Sequence, residues 1–215
     1  NKKKPNINTQ EEAELLTQNE IDSWTEIREN SSDLHKLIIS FRKAVPIIKD
    51  ILKAYRIPIL QVDGYEADDV IGTLAKKADS IGVDTFMLTP DKDYGQLVTD
   101  KVKIFRPRHG GGYETMGPKE VTEKYGITTP LQVIDLLALM GDSADNFPGC
   151  PGVGEKTASK LINDFGSVSE LIARSSEIKG KLREKVEEHV EDIKMSYFLA
   201  TIKTDVPITL DMDAL

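Results

Sequence analysis

Seven acidic residues fall in three short motifs whose spacing is suited to binding divalent cations. The motifs cover residues 64–69, 89–95 and 141–149, and their acids are Glu66, Asp68, Asp69, Asp91, Asp93, Asp142 and Asp145. Carboxylate oxygens without His or Cys ligands are typical of Mg²⁺ or Mn²⁺ sites. Two such ions, roughly 3.5–4 Å apart, are the usual apparatus of phosphodiester hydrolysis. The pattern predicts a two-metal centre, in which the candidate catalytic residues are Asp68, Asp91 and Asp93.

Each motif has a simpler interpretation when it is taken alone. Acids in the first turn of a helix complement the helix dipole, which would explain residues 64–69. Asp91 and Asp93 could form an Asx turn with a helix N-cap, and Asp142 and Asp145 could be turn formers. Seven carboxylates at one sheet edge would repel one another strongly unless cations lay among them. Their combination therefore favours a metal site.

The elements that must position these acids alternate between helix and strand. Apolar residues recur at helical spacing over residues 45–55, and residues 57–62 have the β-rich composition of a buried strand. A second unit follows, with a helix over residues 66–81 and a strand over residues 85–89. Parallel strands would bring the first two motifs to the carboxyl edge of the sheet, where open α/β sheets bind ligands. The sequence thus predicts an α/β fold with a mostly parallel central sheet flanked by helices.

The rest of the chain completes the sheet and then becomes helical. We expect a short helix over residues 93–98 and two strands, at 102–105 and, after a glycine turn, at 113–116. Further helices are predicted by apolar periodicity over residues 118–125, 130–140, 155–165, 168–174 and 177–201, followed by an extended piece at 206–210. The expected domains are a polar N-terminal segment at 1–44, an α/β core at 45–116 and a helical subdomain at 117–215.

A glycine-rich loop precedes one of the predicted helices. A Gly-x-Gly turn directly before a helix exposes backbone N–H groups that form an anion site, and Lys156 and Lys160 lie one turn apart above it. Such groups hold a duplex by its phosphates without reading its sequence. The residues predicted to contact DNA are Gly152, Val153, Gly154, Lys156, Thr157 and Lys160. The alternative is a tight turn between helices with solvated lysines; the spacing of a P-loop is absent.

Composition narrows the class of protein further. Lys and Arg total 28 against 36 Asp and Glu, so the formal charge of -8 argues at first against a polyanionic ligand. Cations bound among the clustered acids would remove that objection. The single Cys150 cannot pair within the chain, and no apolar run is long enough to span a bilayer or to form a signal peptide. We therefore expect a soluble, cytoplasmic protein with no membrane partner.

Four segments of the chain resemble the 5′-nuclease domain of bacterial DNA polymerase I and its flap-endonuclease relatives. The segments are residues 64–75, 89–98, 139–149 and 152–158, and the resemblance runs from about residue 45 to the C-terminus. It implies that all seven acids match the metal-binding acids of the family. It also implies that residues 152–160 match a helix-hairpin or helix-three-turn-helix element, which grips duplex phosphates and holds a K⁺ ion on backbone carbonyls.

The resemblance implies a structure-specific 5′-3′ exonuclease and flap endonuclease of DNA replication and repair. Its partners would be 5′ flaps, nicks and branched duplex DNA, with polymerase domains in the same parent chain. Residues 1–44 match neither the family's opening strand, whose Asp bridges the metals, nor its arch of helices, so we expect weak or no activity from the chain as given. A catalytically incomplete fragment that only binds branched DNA is the alternative. A haloacid-dehalogenase-like phosphatase using Asp91 and Asp93 is another, but it leaves the glycine-rich loop unexplained.

Overall fold

The computed structural model describes residues 33–108, 110–143 and 145–211. The chain divides into two units after Ile59. The expectations about an opening strand and an arch fall largely on residues 1–32, which lie outside the described residues. The division into three domains, with boundaries after residues 44 and 116, stays a prediction.

One long helix dominates the described part of the first unit. Helix α1 spans Asp33–Ala54, which confirms the helix predicted over residues 45–55. Pro46 lies inside it, where the missing N–H removes one helical hydrogen bond. The chain leaves the helix through Arg56, which adopts a left-handed φ of 58°.

The strand predicted over residues 57–62 is wrong. This segment has no regular secondary structure, and the side chains of Ile57 and Leu60 are 50% and 47% exposed. A β-strand is stable only where a neighbouring strand satisfies its N–H and C=O groups. Within the part of the chain that the structure describes, no strand pairs with this segment. Among the described residues, its β-rich composition therefore has no partner strand to pair with.

The second unit is built on a mixed sheet of three strands. Strands β1 (Thr85–Leu88) and β2 (Val102–Pro107) are parallel, as predicted, and β3 (Tyr113–Met116) pairs with β2 in the antiparallel direction. Glycines at 110–112, all with positive φ, make the reversal between β2 and β3 possible. The antiparallel third strand makes the sheet mixed.

Helix α2 (Ala67–Ser80) follows the first acidic motif and packs against β1. Its buried residues include Val70, Ala75 and Ala78, which recur at helical spacing and form its inner face. Gly82 has a φ of 76° where the chain turns towards β1. This arrangement confirms the helix predicted over residues 66–81 and places the first motif at the start of α2.

Helices make up the remainder of the second unit. Beyond a 3₁₀ turn at Asp93–Leu97, the helices are α3 (Pro118–Tyr125), α4 (Val133–Met140), α5 (Glu155–Phe165), α6 (Val168–Ala173), α7 (Lys181–Glu188) and α8 (Val190–Ala200), with further 3₁₀ turns at Pro130–Gln132 and Ser175–Glu177. Helices α3 and α5 have the predicted bounds. The single helix predicted over residues 177–201 is divided at His189 into α7 and α8.

Helix α4 lies at the centre of the core. Leu136, Leu137 and Leu139 are each at most 1% exposed, and the helix packs against α5 and α8. Shortening a leucine in such a position to alanine costs about 2–5 kcal/mol, because a cavity remains in a close-packed interior. Helix α4 is followed directly by its C-cap residue Gly141, where the third acidic motif begins.

Candidate active site

The second acidic motif is a turn in which one acid orients the next. After β1 ends, the Asp91 N–H donates to Thr89 Oγ1 at 3.1 Å, and the Asp93 N–H donates to Asp91 Oδ1 at 3.0 Å. The Asx turn considered as an alternative is therefore present. It engages one oxygen of Asp91 and sets Asp93 at the start of a 3₁₀ turn.

Asp93 is buried, and its Oδ1 atom has no hydrogen-bond partner among the described residues. Burial raises the pKa of Asp93 to about 7, with the charge of Asp91 adding to the effect and that of Lys92 opposing it. The charges of Asp145 and Asp142 raise this pKa further. A buried carboxylate oxygen without a donor is rare in folded proteins, and a cation is one group that would satisfy it.

In the first motif, two neighbouring acids have different surroundings. Asp68 Oδ1 accepts the Asp69 N–H at 3.0 Å. Burial raises the pKa of Asp68 despite that hydrogen bond, and the charges of Asp69 and Asp91 contribute to the rise. Asp69 accepts the Lys203 N–H on Oδ1 at 2.8 Å and the Glu66 N–H on Oδ2 at 3.4 Å. Glu66 itself is exposed at the N-cap of α2.

The third motif is a loop closed by two glycines. The Asp142 N–H donates to the Phe147 carbonyl at 3.1 Å, and the Phe147 N–H donates back to the Asp142 carbonyl at 2.7 Å. Gly141 and Gly149 lie against each other at the base: a Cβ on Gly149 would lie 2.3 Å from the Gly141 nitrogen. Only glycine fits there, and the closed loop holds Asp142 and Asp145 next to the second motif.

An ion pair joins the second and third motifs. Lys92 Nζ contacts Asp142 Oδ2, and the Asp142 side chain is only 8% exposed. Burial alone would lower the pKa of Lys92, but the hydrogen bond to Asp142 and the charges of Asp142 and Asp93 raise it overall. The sequence drew attention to the acids on either side of Lys92 and missed the lysine itself.

Electrostatic effects link six of the seven acids, all but Glu66. Both oxygens of Asp69 accept backbone N–H groups, so we leave it out and call the other five the acidic cluster: Asp68, Asp91, Asp93, Asp142 and Asp145. Among the described residues, no group of three or more Asp, Glu, His or Cys side chains has the arrangement of a ready-made metal site. The donors nevertheless fit a divalent cation, because they are oxygens alone and Asp93 Oδ1 is buried without a partner. The assignment of all seven acids as ligands stays a prediction.

The glycine-rich loop leads into α5 as the sequence predicts. Gly152 has a φ of 78°, Gly154 is the N-cap of α5, and Val153 is buried in the core beneath the loop. Lys156 and Lys160 are exposed on α5. The first N–H groups of a helix have no acceptor within it, so this end carries a partial positive charge beside the two lysines.

A lysine from another helix supports this loop. Lys185 Nζ, from α7, donates to the Pro151 carbonyl at 3.1 Å, and a Cβ on Gly152 would lie 2.6 Å from that Nζ atom. The sequence did not indicate the supporting roles of Lys185, Gln96 and Ser196. Their partners lie 34–106 positions away in the chain, so no local pattern could have indicated them.

Two family models match the chain. Residues 35–126 match the 5′-3′ exonuclease N-terminal resolvase-like domain, and residues 128–215 match the 5′-3′ exonuclease C-terminal SAM fold. The chain belongs to the 5′-3′ exonuclease family. This membership confirms the predicted resemblance and the predicted fold class, an α/β domain with a helical subdomain.

Individual relatives agree with this membership. DNA polymerase I of Bacillus subtilis (strain 168) is 48% identical over 173 residues, which are 80% of this chain and 20% of the relative. Among solved structures, a mutant of T5 5′-exonuclease is 26% identical with a TM-score of 0.64, covering 73% of this chain and 64% of its own. T5 5′-exonuclease with divalent zinc ions bound is 24% identical with a TM-score of 0.70, covering 85% of this chain and 67% of its own, and shows the same fold.

The chain spans about a fifth of the length of the curated relatives that it matches.

None of the described helices is both long enough and apolar enough to cross a membrane.

Proposed function

We propose that this chain is a metal-dependent, structure-specific 5′-3′ exonuclease and flap endonuclease that hydrolyses DNA phosphodiester bonds. The observation that carries the proposal is Asp93, a buried carboxylate with an unpartnered oxygen among acids of the second and third motifs, in a member of the 5′-3′ exonuclease family. A buried carboxylate of this kind indicates a cation-binding site more than a purely structural role.

The acidic cluster is the proposed metal centre. Asp68, Asp91 and Asp93 would hold the ions, and the third motif would complete the set with Asp142 and Asp145. The oxygen-only donors favour Mg²⁺ or Mn²⁺. When bound, two such ions activate a water molecule and neutralise charge that develops on the phosphate and the leaving oxygen. The structurally similar T5 5′-exonuclease is described with bound divalent zinc ions, which supports this assignment.

The start of α5 is the proposed duplex grip. Its free N–H groups and the exposed Lys156 and Lys160 would hold backbone phosphates and place the scissile bond near the cluster. The loop before α5 is less suited to binding a K⁺ ion through its carbonyl groups than to binding phosphate. Two carbonyl groups of this loop already accept hydrogen bonds, that of Pro151 from Lys185 Nζ and that of Cys150 from the Val153 N–H.

The proposed substrates are 5′ flaps, nicks and branched duplex DNA, in DNA replication and repair. Contacts limited to phosphates would read the shape of the DNA and not its sequence. Because the curated relatives are DNA polymerases I, we also propose polymerase domains in the parent chain and a cytoplasmic place of action on the nucleoid.

A flap-cleavage assay with Mg²⁺ or with EDTA tests the proposal. We expect cleavage only with Mg²⁺, and weak cleavage at that, because residues 1–44 match neither the family's opening strand nor its arch. Asp91→Ala and Asp93→Ala should each lose a further factor of about 10² or more, because charge stabilisation in the transition state is lost. Duplex binding measured in EDTA should change little. Asp84→Ala is the matched control, since Asp84 is exposed and pairs with Lys101 outside the acidic cluster.

Cleavage in EDTA would contradict the proposal, as would equal activity of Asp93→Ala and Asp84→Ala. Duplex binding without any cleavage would instead support the alternative of a catalytically incomplete DNA-binding fragment.

A further inference from the structure

Residues 196–203, which end α8 and continue beyond it, make one hydrogen-bonded connection to each acidic motif. The first connection is to the third motif. The Gly149 N–H donates to Ser196 Oγ at 2.9 Å, and Ser196 Oγ donates to the Asp192 carbonyl at 2.8 Å. Ser196 is fully buried, so this contact fixes the base of the Asp142 loop against α8.

The second connection runs through Gln96 to the second motif. Gln96 Nε2 donates to the Asp93 carbonyl at 3.0 Å and to the Ala200 carbonyl at 2.8 Å. Its Oε1 atom accepts the Ile202 N–H at 3.0 Å. All these bonds are buried, so Gln96 ties the turn that carries Asp93 to the exit of α8.

The third connection is to the first motif, through Asp69. Asp69 Oδ1 accepts the Lys203 N–H at 2.8 Å, a length typical of hydrogen bonds to a charged acceptor. One turn further along α2, Thr73 Oγ1 accepts the Val206 N–H at 3.1 Å. The segment beyond α8 is therefore held along α2 from its first turn onwards.

We infer that Asp69 is a positioning residue and not a metal ligand, and that it anchors residues 196–203 so that this stretch fixes the three motifs relative to one another. Both carboxylate oxygens of Asp69 accept backbone N–H groups. Asp68, its neighbour, accepts the Asp69 N–H on Oδ1, and the charges of Asp69 and Asp91 both act on it. The part of this inference that concerns metal rests on the proposed function.

The test compares three variants of the full chain: Asp69→Asn, Asp69→Ala and Asp68→Asn. Asparagine keeps an oxygen that accepts the Lys203 N–H, whereas alanine removes it. Mn²⁺ affinity is measured by calorimetry in about 0.5 M salt, which screens charge effects beyond direct contact. We expect Asp69→Asn to bind Mn²⁺ nearly as the parent does, and Asp69→Ala to bind about tenfold more weakly, the scale of a lost supporting contact. Asp68→Asn should lose more than Asp69→Ala.

Hydrogen exchange at the Lys203 amide provides a readout that needs neither metal nor DNA. Exchange should be faster in Asp69→Ala and close to that of the parent in Asp69→Asn and Asp68→Asn. Equal Mn²⁺ losses in Asp69→Asn and Asp68→Asn would overturn the inference and make Asp69 a ligand. Unchanged exchange in Asp69→Ala would overturn it as well. A parent chain that binds no Mn²⁺ contradicts the proposed function instead, and the Lys203 exchange then decides whether Asp69 anchors the segment.

Discussion

The Lys92 ammonium contacts the nearly buried carboxylate of Asp142, so a lysine of the second motif neutralises an acid of the third. Charges of like sign at this density would otherwise raise one another's pKa values, as they do at Asp93. Lys92 thus places a cation of the chain itself inside the acidic cluster. A divalent ion that entered the cluster would either share Asp142 with Lys92 or displace Lys92 from Asp142.

The first prediction follows from this pair. Lys92→Met keeps most of the side-chain stem but removes the charge, so without metal it should lower the free energy of unfolding by about 1–3 kcal/mol, less than for a fully buried pair. Saturating Mn²⁺ should reduce that loss, because the ion takes over part of the neutralisation. Urea unfolding in EDTA and in Mn²⁺ measures both.

The control for Lys92→Met is Lys101→Met, which breaks the exposed pair with Asp84. Exposed pairs contribute about 0–1 kcal/mol, and this one should not depend on metal. A loss in Lys92→Met that is the same in EDTA and in Mn²⁺ would contradict the prediction.

The second prediction concerns the pH dependence of stability without metal. The folded-state pKa of Asp93, about 7, lies above the ordinary value, so the folded chain holds this proton more tightly than the unfolded chain does. The contribution of Asp93 to stability is therefore present at low pH and is lost as the pH rises towards 7 and beyond. The Asn side chain of Asp93→Asn does not titrate, so this variant lacks the loss of stability that the parent shows as the pH rises. The melting temperature of the variant minus that of the parent should therefore be larger at pH 8 than at pH 5. Thermal melts in EDTA measure the difference, and a gap that stays constant from pH 5 to 8 would argue against it.

The sequence predicted elements well where local chemistry decides them. Helix α3 begins at a proline after Gly117 and ends just before Gly126, and its bounds match the prediction. Residues 57–62 have strand composition as well, but a strand depends on a distant partner, which composition does not reveal. The same limit applies to the site: the acids stand out as motifs, whereas the Asp69 to Lys203 contact joins residues 134 positions apart.

The third prediction tests the duplex grip. Lys156→Ala with Lys160→Ala should weaken DNA binding to a similar degree for unrelated duplex sequences, because phosphate contacts carry no sequence information. The slope of log affinity against log salt should fall by about one unit for each lost contact. Binding isotherms at several salt concentrations measure both quantities.

A matched control removes the same charge elsewhere, with Lys101→Ala and Lys119→Ala, two exposed lysines that each pair with an acid. This variant should leave the salt slope unchanged. If both double variants reduced the slope equally, Lys156 and Lys160 would be solvated lysines that act only through net charge.

The last prediction separates backbone strain from a specific contact at the glycine-rich loop. Gly152 and Gly82 have nearly the same φ, 78° and 76°, but a Cβ at Gly82 would meet nothing within 4 Å, whereas one at Gly152 would lie 2.6 Å from Lys185 Nζ. Gly82→Ala and Gly152→Ala should each cost about 1–2 kcal/mol for placing alanine in a left-handed conformation. The side chain of Lys185 is flexible and can move aside, so the clash adds little to that cost.

When Lys185 moves aside, its hydrogen bond to the Pro151 carbonyl breaks. Of the two glycine variants, only Gly152→Ala should therefore weaken duplex binding. Lys185→Ala removes the same hydrogen bond without backbone strain, so it should also weaken duplex binding. Urea unfolding and duplex binding of the three variants decide the matter: equal binding by Gly152→Ala and Gly82→Ala would show that Lys185 does not shape the loop for DNA.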